Sequence, residues 1–233
     1  MRSCAFVAMV LVCAAMAPAG DVIVQKVQGD VLVRQGVTEV WNAVAAGDIL
    51  KPNDTMRTGK RGAAILVMHA QGKPDRKISL PADVLVDVSD IRDLTQEELM
   101  LKLTMAKVRA SSYEWKDREL QIPNATVVHG QDKGDQAGLQ DNLPENGTLQ
   151  WNGIRVLVDH GFYSTGVLRM MEVFRSYPSL AGDVDHRLAF ADALEKVELR
   201  GEALTEYGSL SQRADLTRSQ RVRIESRLSA LQK

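Results

Sequence analysis

The chain has 233 residues, 45% hydrophobic and 25% charged, with 29 basic against 30 acidic side chains and a net charge of −1. These values fit a soluble globular protein of one large or two small domains, and they exclude wholesale disorder, a collagen-like rod and a multi-pass membrane protein. The even charge balance also excludes the basic field by which a dedicated nucleic-acid binder gathers phosphates.

Residues 1–20 carry one cation, Arg2, then an apolar run over 5–16, then Ala17-Pro18-Ala19. That layout predicts a signal peptide over residues 1–19, cut after Ala19, where small side chains fit the cleavage pocket. The run is shorter than the roughly 20 residues of a spanning helix, and a retained anchor is the alternative. Val10-Leu11-Val12-Cys13 has the outline of a lipid-attachment motif, but Val12 is large for the position before the cysteine. Both cysteines, Cys4 and Cys13, lie in the leader, so the expected mature chain is free of disulfides. Later apolar runs are only strand length, which predicts no stable membrane span after cleavage and a periplasmic or extracellular location.

Residues 22–90 read as short strands divided by turns. Val22, Val24 and Val27 come first, then Val31 and Val33, then Val37, Val40 and Trp41, then 63–68, then Ile78 and Leu80, then Val84, Val86 and Val88. Gly29-Asp30, Gly47-Asp48 and Pro52-Asn53-Asp54 are among the turn formers between them. This pattern predicts a sandwich or rolled sheet. At Thr95 the character changes: Thr95 and Glu98 have capping-box spacing, and good helix formers follow. A helix ending near Arg109 is expected, although Leu99, Leu101, Leu103 and Met105 also alternate as a strand would, and a further strand is expected over 120–128. Residues 131–147 contain three glycines, a proline and five charges, and they read as a linker.

Beyond the linker the period is helical. Val167, Met170, Met171, Phe174 and Tyr177 share one helix face. Val184, Leu188, Ala191, Leu194 and Val197 form a second stripe, Ala203, Leu204, Tyr207 and Leu210 a third, and Ile224, Leu228 and Leu231 a fourth. Starts are marked by Ser164, by Asp183 and by Thr217 with Gln220, and Pro178 stops one helix. With a weaker segment over 149–160, five antiparallel helices are expected.

The first half resembles the FecR-type domain of bacterial envelope proteins. The likeness is carried by Gly29 and Val31 in VQGDVLVRQG, Trp41, Ala46-Gly47-Asp48-Ile49-Leu50, Asp54, Met56-Arg57-Thr58-Gly59 and the strand 63–66, with 121–130 similar to the family's later strand. The family residues Gly29, Trp41, Gly47, Asp54, Arg57, Thr58 and Gly59 are expected to be structural. Gly47 and Gly59 would supply turns with φ > 0, Asp54 would accept backbone hydrogen bonds, Trp41 would fill the sheet core, and Arg57 would pair with Asp54 or lie across the sheet. Sigma-factor regulators of the family use a cytoplasmic segment ahead of a membrane span. Only Met1, Arg2 and Ser3 stand ahead of the apolar segment, so the resemblance implies an exported member instead. The second half resembles tetratricopeptide-type repeats, with Gly166 and Ala203 at equivalent small-residue positions 37 residues apart. Such stacks bind peptides or proteins on a concave face.

The fold expectation is therefore α+β: a FecR-like β domain over 20–130, a linker over 131–147 and a helical hairpin repeat domain over 148–233. Motifs for catalysis are missing. His69, His129, His160 and His186 are scattered, no phosphate loop or nucleophile elbow occurs, and Asp183, Asp185 and His186 fall where a helix cap is expected. No cofactor or metal is implied. The basic run over 213–227 reads as a solvated helix face, with Arg221 and Arg223 as the candidate contacts to an anionic partner. The expected function is an exported, non-catalytic binding or scaffold module for an envelope protein or peptide. The alternatives are an envelope enzyme acting on cell-wall glycan and a membrane-tethered signalling receptor.

Overall fold

The computed structural model describes residues 22–69, 74–116 and 144–232. Antiparallel β-sheets come first and helices follow, as the two periodicities predict. Strands β1 (Val22–Gln28), β4 (Ile49–Leu50), β6 (Ala63–Met68) and β7 (Arg76–Leu80) form one sheet in the order β4-β1-β6-β7. Strands β2 (Val31–Gln35), β3 (Trp41–Ala43), β5 (Asp54–Thr58) and β8 (Leu85–Asp87) form the other, in the order β3-β2-β5-β8. Val22, Val24, Leu66 and Ile78 of the first sheet and Val31, Val33, Met56 and Val86 of the second are buried in one cluster. Each such side chain contributes about 2 kcal/mol to stability.

The expected strand through Val37, Val40 and Trp41 begins only at Trp41, and Val37 and Val40 are exposed. Strands β4 and β5 occupy stretches that read as turn and motif. β5 is a central strand although it is polar, because its buried groups are bonded. Asp54 accepts from the Lys51 N–H at 2.8 Å, Thr58 Oγ1 donates to the Pro81 carbonyl at 2.7 Å, and Thr55 Oγ1 donates to Asp87 Oδ1 at 2.7 Å. A buried hydroxyl or carboxylate is tolerated when it is paired in this way.

The segment at 95–109 is helical and runs further than expected, as α1 (Gln96–Lys116). Its capping box is formed: the Thr95 N–H donates to Glu98 and the Glu98 N–H to Thr95 Oγ1, both at 3.1 Å. The strand expected at 120–128 and the leader at 1–19 lie outside the described residues, as do residues 131–143 of the expected linker. Its last residues, 144–147, open helix α2 (Pro144–Asp159). Then come α3 (Tyr163–Ser176), α4 (Pro178–Gly182), α5 (Val184–Lys196), α6 (Arg200–Ser211) and α7 (Arg218–Leu231). Pro178 ends one helix and starts the short α4, so this region has six helices among the described residues where five were expected. Asp183 caps α5 by accepting from the His186 N–H, and Thr217 with Gln220 closes a capping box on α7. Ser164 is not a cap. α3 starts two residues earlier, with Phe162 at the cap position.

The helical stripes pack together as their spacing predicts, with Val167, Met170, Leu188, Ala191, Ala203, Tyr207 and Ile224 at 2% exposure or less. The two cores also interlock. Leu99 and Leu103 of α1 join the helical core, while Val156 and Leu157 of α2, with Phe162, join the β core. Gly153 brings α2 against β8 so closely that a Cβ there would lie 2.1 Å from the Leu85 carbonyl oxygen. Arg76 fastens the same junction: it hydrogen-bonds the His160 carbonyl, pairs with Asp93 at 2.8 Å and lies over the Phe162 ring at 4.0 Å.

Candidate functional site

Strand alternation places residues i and i+2 on one face, so the inward set Asp54, Met56 and Thr58 leaves Thr55 and Arg57 facing outward on β5. The register then aligns Trp41 with Arg34 across β3 and β2, Arg34 with Thr55, and Thr55 with Asp87 on β8. Trp41, Arg34 and Asp87 of this row, with Arg57, form the floor of a cleft of about 650 Å³ on the outer face of the second sheet. The wall comes from α2, through Asn146, Gln150, Ile154 and Leu157, and from α3, through Arg169, Glu172, Val173 and Ser176. Those residues recur at helical spacing, so each helix turns one face to the floor.

Four carboxylates and three guanidinium groups line the cleft. Arg169 holds three of the carboxylates: Asp87 at 2.7 Å, Asp90 at 2.6 Å and Glu172 at 2.8 Å. A guanidinium can do this because its five N–H donors fan out in a plane. Burial pushes the Asp90 carboxyl up to about 6, against the opposing pull of Arg169. Arg34 lies over the Trp41 ring at 5.3 Å. Arg57 is exposed on the floor, and no carboxylate among the described residues pairs with it.

The pH dependence of Asp90 follows. Its folded value lies above its unfolded one, so its contribution is fully present below about 3.8 and is lost as pH rises through about 6. The expected result is that wild type loses about 2 to 3 kcal/mol relative to Asp90→Asn between pH 4 and 7. Urea titrations at several pH values check it, and parallel curves for the two proteins would remove Asp90 as the cause.

The family-motif residues are placed as follows. Gly29 has φ of +65° and Gly47 of +96°. Gly59 does not adopt positive φ. Its N–H donates to the Asp30 carbonyl at 2.8 Å, and an added Cβ would lie 3.1 Å from Asp30 Cβ, so its need for glycine comes from close approach. Trp41 is half-buried on an edge strand and not in the sheet core, because the inward side of its row belongs to the valines. Arg57 cannot meet Asp54, since the two lie on opposite faces of β5. Arg221 is exposed, but Arg223 is engaged: it pairs with Asp192, and Arg227 pairs with Glu195 at 3.3 Å, so part of the basic run fastens α7 to α5. Asp192 also accepts from the buried Tyr207 hydroxyl at 2.5 Å, and burial raises the affinity of that hydroxyl for its proton.

No sequence motif marks Asp87, Asp90, Arg169 or Glu172, and Arg34 lies in VQGDVLVRQG without being singled out. The one available signal was charge inside apolar surroundings: Asp87 and Asp90 in VDVSDI, and Arg169 between Leu168 and Met170. Among the described residues, no group of three histidine, cysteine, aspartate or glutamate side chains could hold a metal ion, and no helix is long and apolar enough to cross a membrane. His160 Nδ1 bonds the Val156 carbonyl and Nε2 accepts from the Ser79 N–H, which makes the ring a structural clamp. Compared with family models, curated proteins and solved structures, the chain matches none.

Proposed function

We propose that the protein is an exported, non-catalytic bacterial envelope protein, a binding or scaffold module that holds a protein or peptide partner in the cleft between its sheet and its helices. The observation that supports this most is the allocation of charge in the cleft. Acid–base hydrolysis of a glycan needs two carboxyl groups disposed around the scissile bond. Here Asp87, Asp90 and Glu172 all hold Arg169, which leaves Glu39, while Arg57, Asn146, Gln150 and Ser176 offer polar groups to a ligand. The FecR-type motif, the leader-like N-terminus and the tetratricopeptide-like spacing support export and partner binding. Arg57, Trp41 and the helix wall then replace the helices alone as the place where partner contacts are sought.

The test uses residues 20–233, which contain the whole described body. Capture from envelope extract is expected to retain a partner, and Arg57→Glu to release it. A second reading, an enzyme acting on cell-wall glycan, draws on Asp90, which stays protonated up to about pH 6 as a general acid would. Incubation with purified peptidoglycan between pH 5 and 7 separates the two. Release of new reducing ends, abolished by Asp90→Asn, would overturn the non-catalytic reading.

A further inference from the structure

The fold leaves one long apolar stripe in solvent. In α1, Leu101, Met105 and Val108 are 60%, 53% and 60% exposed, and Met100 beside them is 46% exposed. Leu99 and Leu103, 0% and 8% exposed, occupy the other side of the same helix within the helical core. Two residues along a helix is a turn of about 200°, so the two sets point in nearly opposite directions. α1 thus has two apolar faces, and among the described residues one of them is covered.

We propose that the exposed face joins a second copy of this chain in a parallel, two-fold symmetric helix pair. Leu101, Met105 and Val108 fall at i, i+4 and i+7, which is the d-a-d spacing of a heptad seam. The flanking charges select both the occupant and its direction. With Leu101 at d, Glu97 is a g residue and Lys102 the e residue five positions on. In a parallel pair the g residue of one helix lies beside the following e residue of its partner, so Glu97 meets Lys102 twice, once on each side of the axis. An antiparallel pair would set e against e and g against g, which separates Glu97 from Lys102. Both Glu97 and Lys102 are exposed and available for this contact. The helix spans 21 residues, roughly 31 Å, so a seam of three or four layers fits along it. The association extends the partner-binding reading without depending on it, because α1 does not line the cleft.

Sedimentation equilibrium of residues 20–233 between about 1 and 100 µM is expected to show a monomer–dimer equilibrium with a dissociation constant in the micromolar range. Leu101→Glu or Met105→Glu should weaken it more than about tenfold, with the melt unchanged at concentrations where wild type is monomeric, because both side chains are exposed there. Lys102→Glu should also weaken it, and adding Glu97→Lys should restore it. Leu101→Cys and Val108→Cys should each cross-link to themselves, as only an in-register parallel seam allows for both. A chain that stays monomeric at the highest concentration, or a dimer indifferent to the seam variants, overturns the proposal. So does stripe-dependent binding of a monomeric chain to phosphatidylglycerol vesicles, which would assign the face to a lipid surface.

Discussion

Gly153→Ala is expected to destabilise the protein by about 2 to 3 kcal/mol, although alanine is the better helix former by about 1 kcal/mol. The added Cβ would stand 2.1 Å from the Leu85 carbonyl oxygen and 2.8 Å from a methyl of Val86. The nearer obstacle is backbone, which cannot swing aside, so α2 must lift from β8 and loosen Val156 and Leu157 in the β core. Gly208→Ala in α6 is the matched control, because nothing lies within 4 Å of its added Cβ. That variant should gain up to about 1 kcal/mol from propensity alone. Chemical denaturation of both proteins decides the matter. Stabilisation by both substitutions would mean that α2 does not press on the sheet.

Arg169→Ala should cost about 3 kcal/mol at neutral pH, near the lower end for removing one partner of a buried ion pair because the guanidinium is partly solvated. Most of that cost comes from what is left behind: Asp90 and Asp87 ionised side by side without a cation. Asp90 takes up a proton near pH 6, so the loss should shrink at pH 5. Asp90→Asn in the Arg169→Ala background should recover part of it at pH 7.5. A loss below about 1 kcal/mol that does not vary with pH would show that Arg169 is an ordinary surface ion pair.

Much of the architecture was legible because burial there follows hydropathy. Val22 and Val24, Ile78 and Leu80, and the stripe Val167–Met170–Phe174 face inward as their periods require. Caps were legible for a similar reason: Asp183 and Thr217 act on backbone three residues away, and so does Thr95. β5 was hidden because Asp54, Thr55 and Thr58 are buried by hydrogen bonding, which no hydropathy pattern records. Trp41 was misplaced by its size. A large aromatic suggests a core, but its row is the outer face of an edge strand, where Arg34 covers it.

By itself the sequence determined the order of sheet and helix, the helix caps and the alternation along most strands, since each depends on residues within a turn or two of one another. Only the tertiary structure decided the cleft. Arg34, Arg57, Asp87, Asp90 and Arg169 come from positions up to 135 residues apart. They meet because strand register sets the floor, and because Gly153 and the Arg76 contacts seat α2 and α3 over one edge of it. The same docking decided which apolar face of α1 was buried. Leu99–Leu103 and Leu101–Met105 are alike in hydropathy and spacing, and the position of the helical core against one of them left the other in solvent.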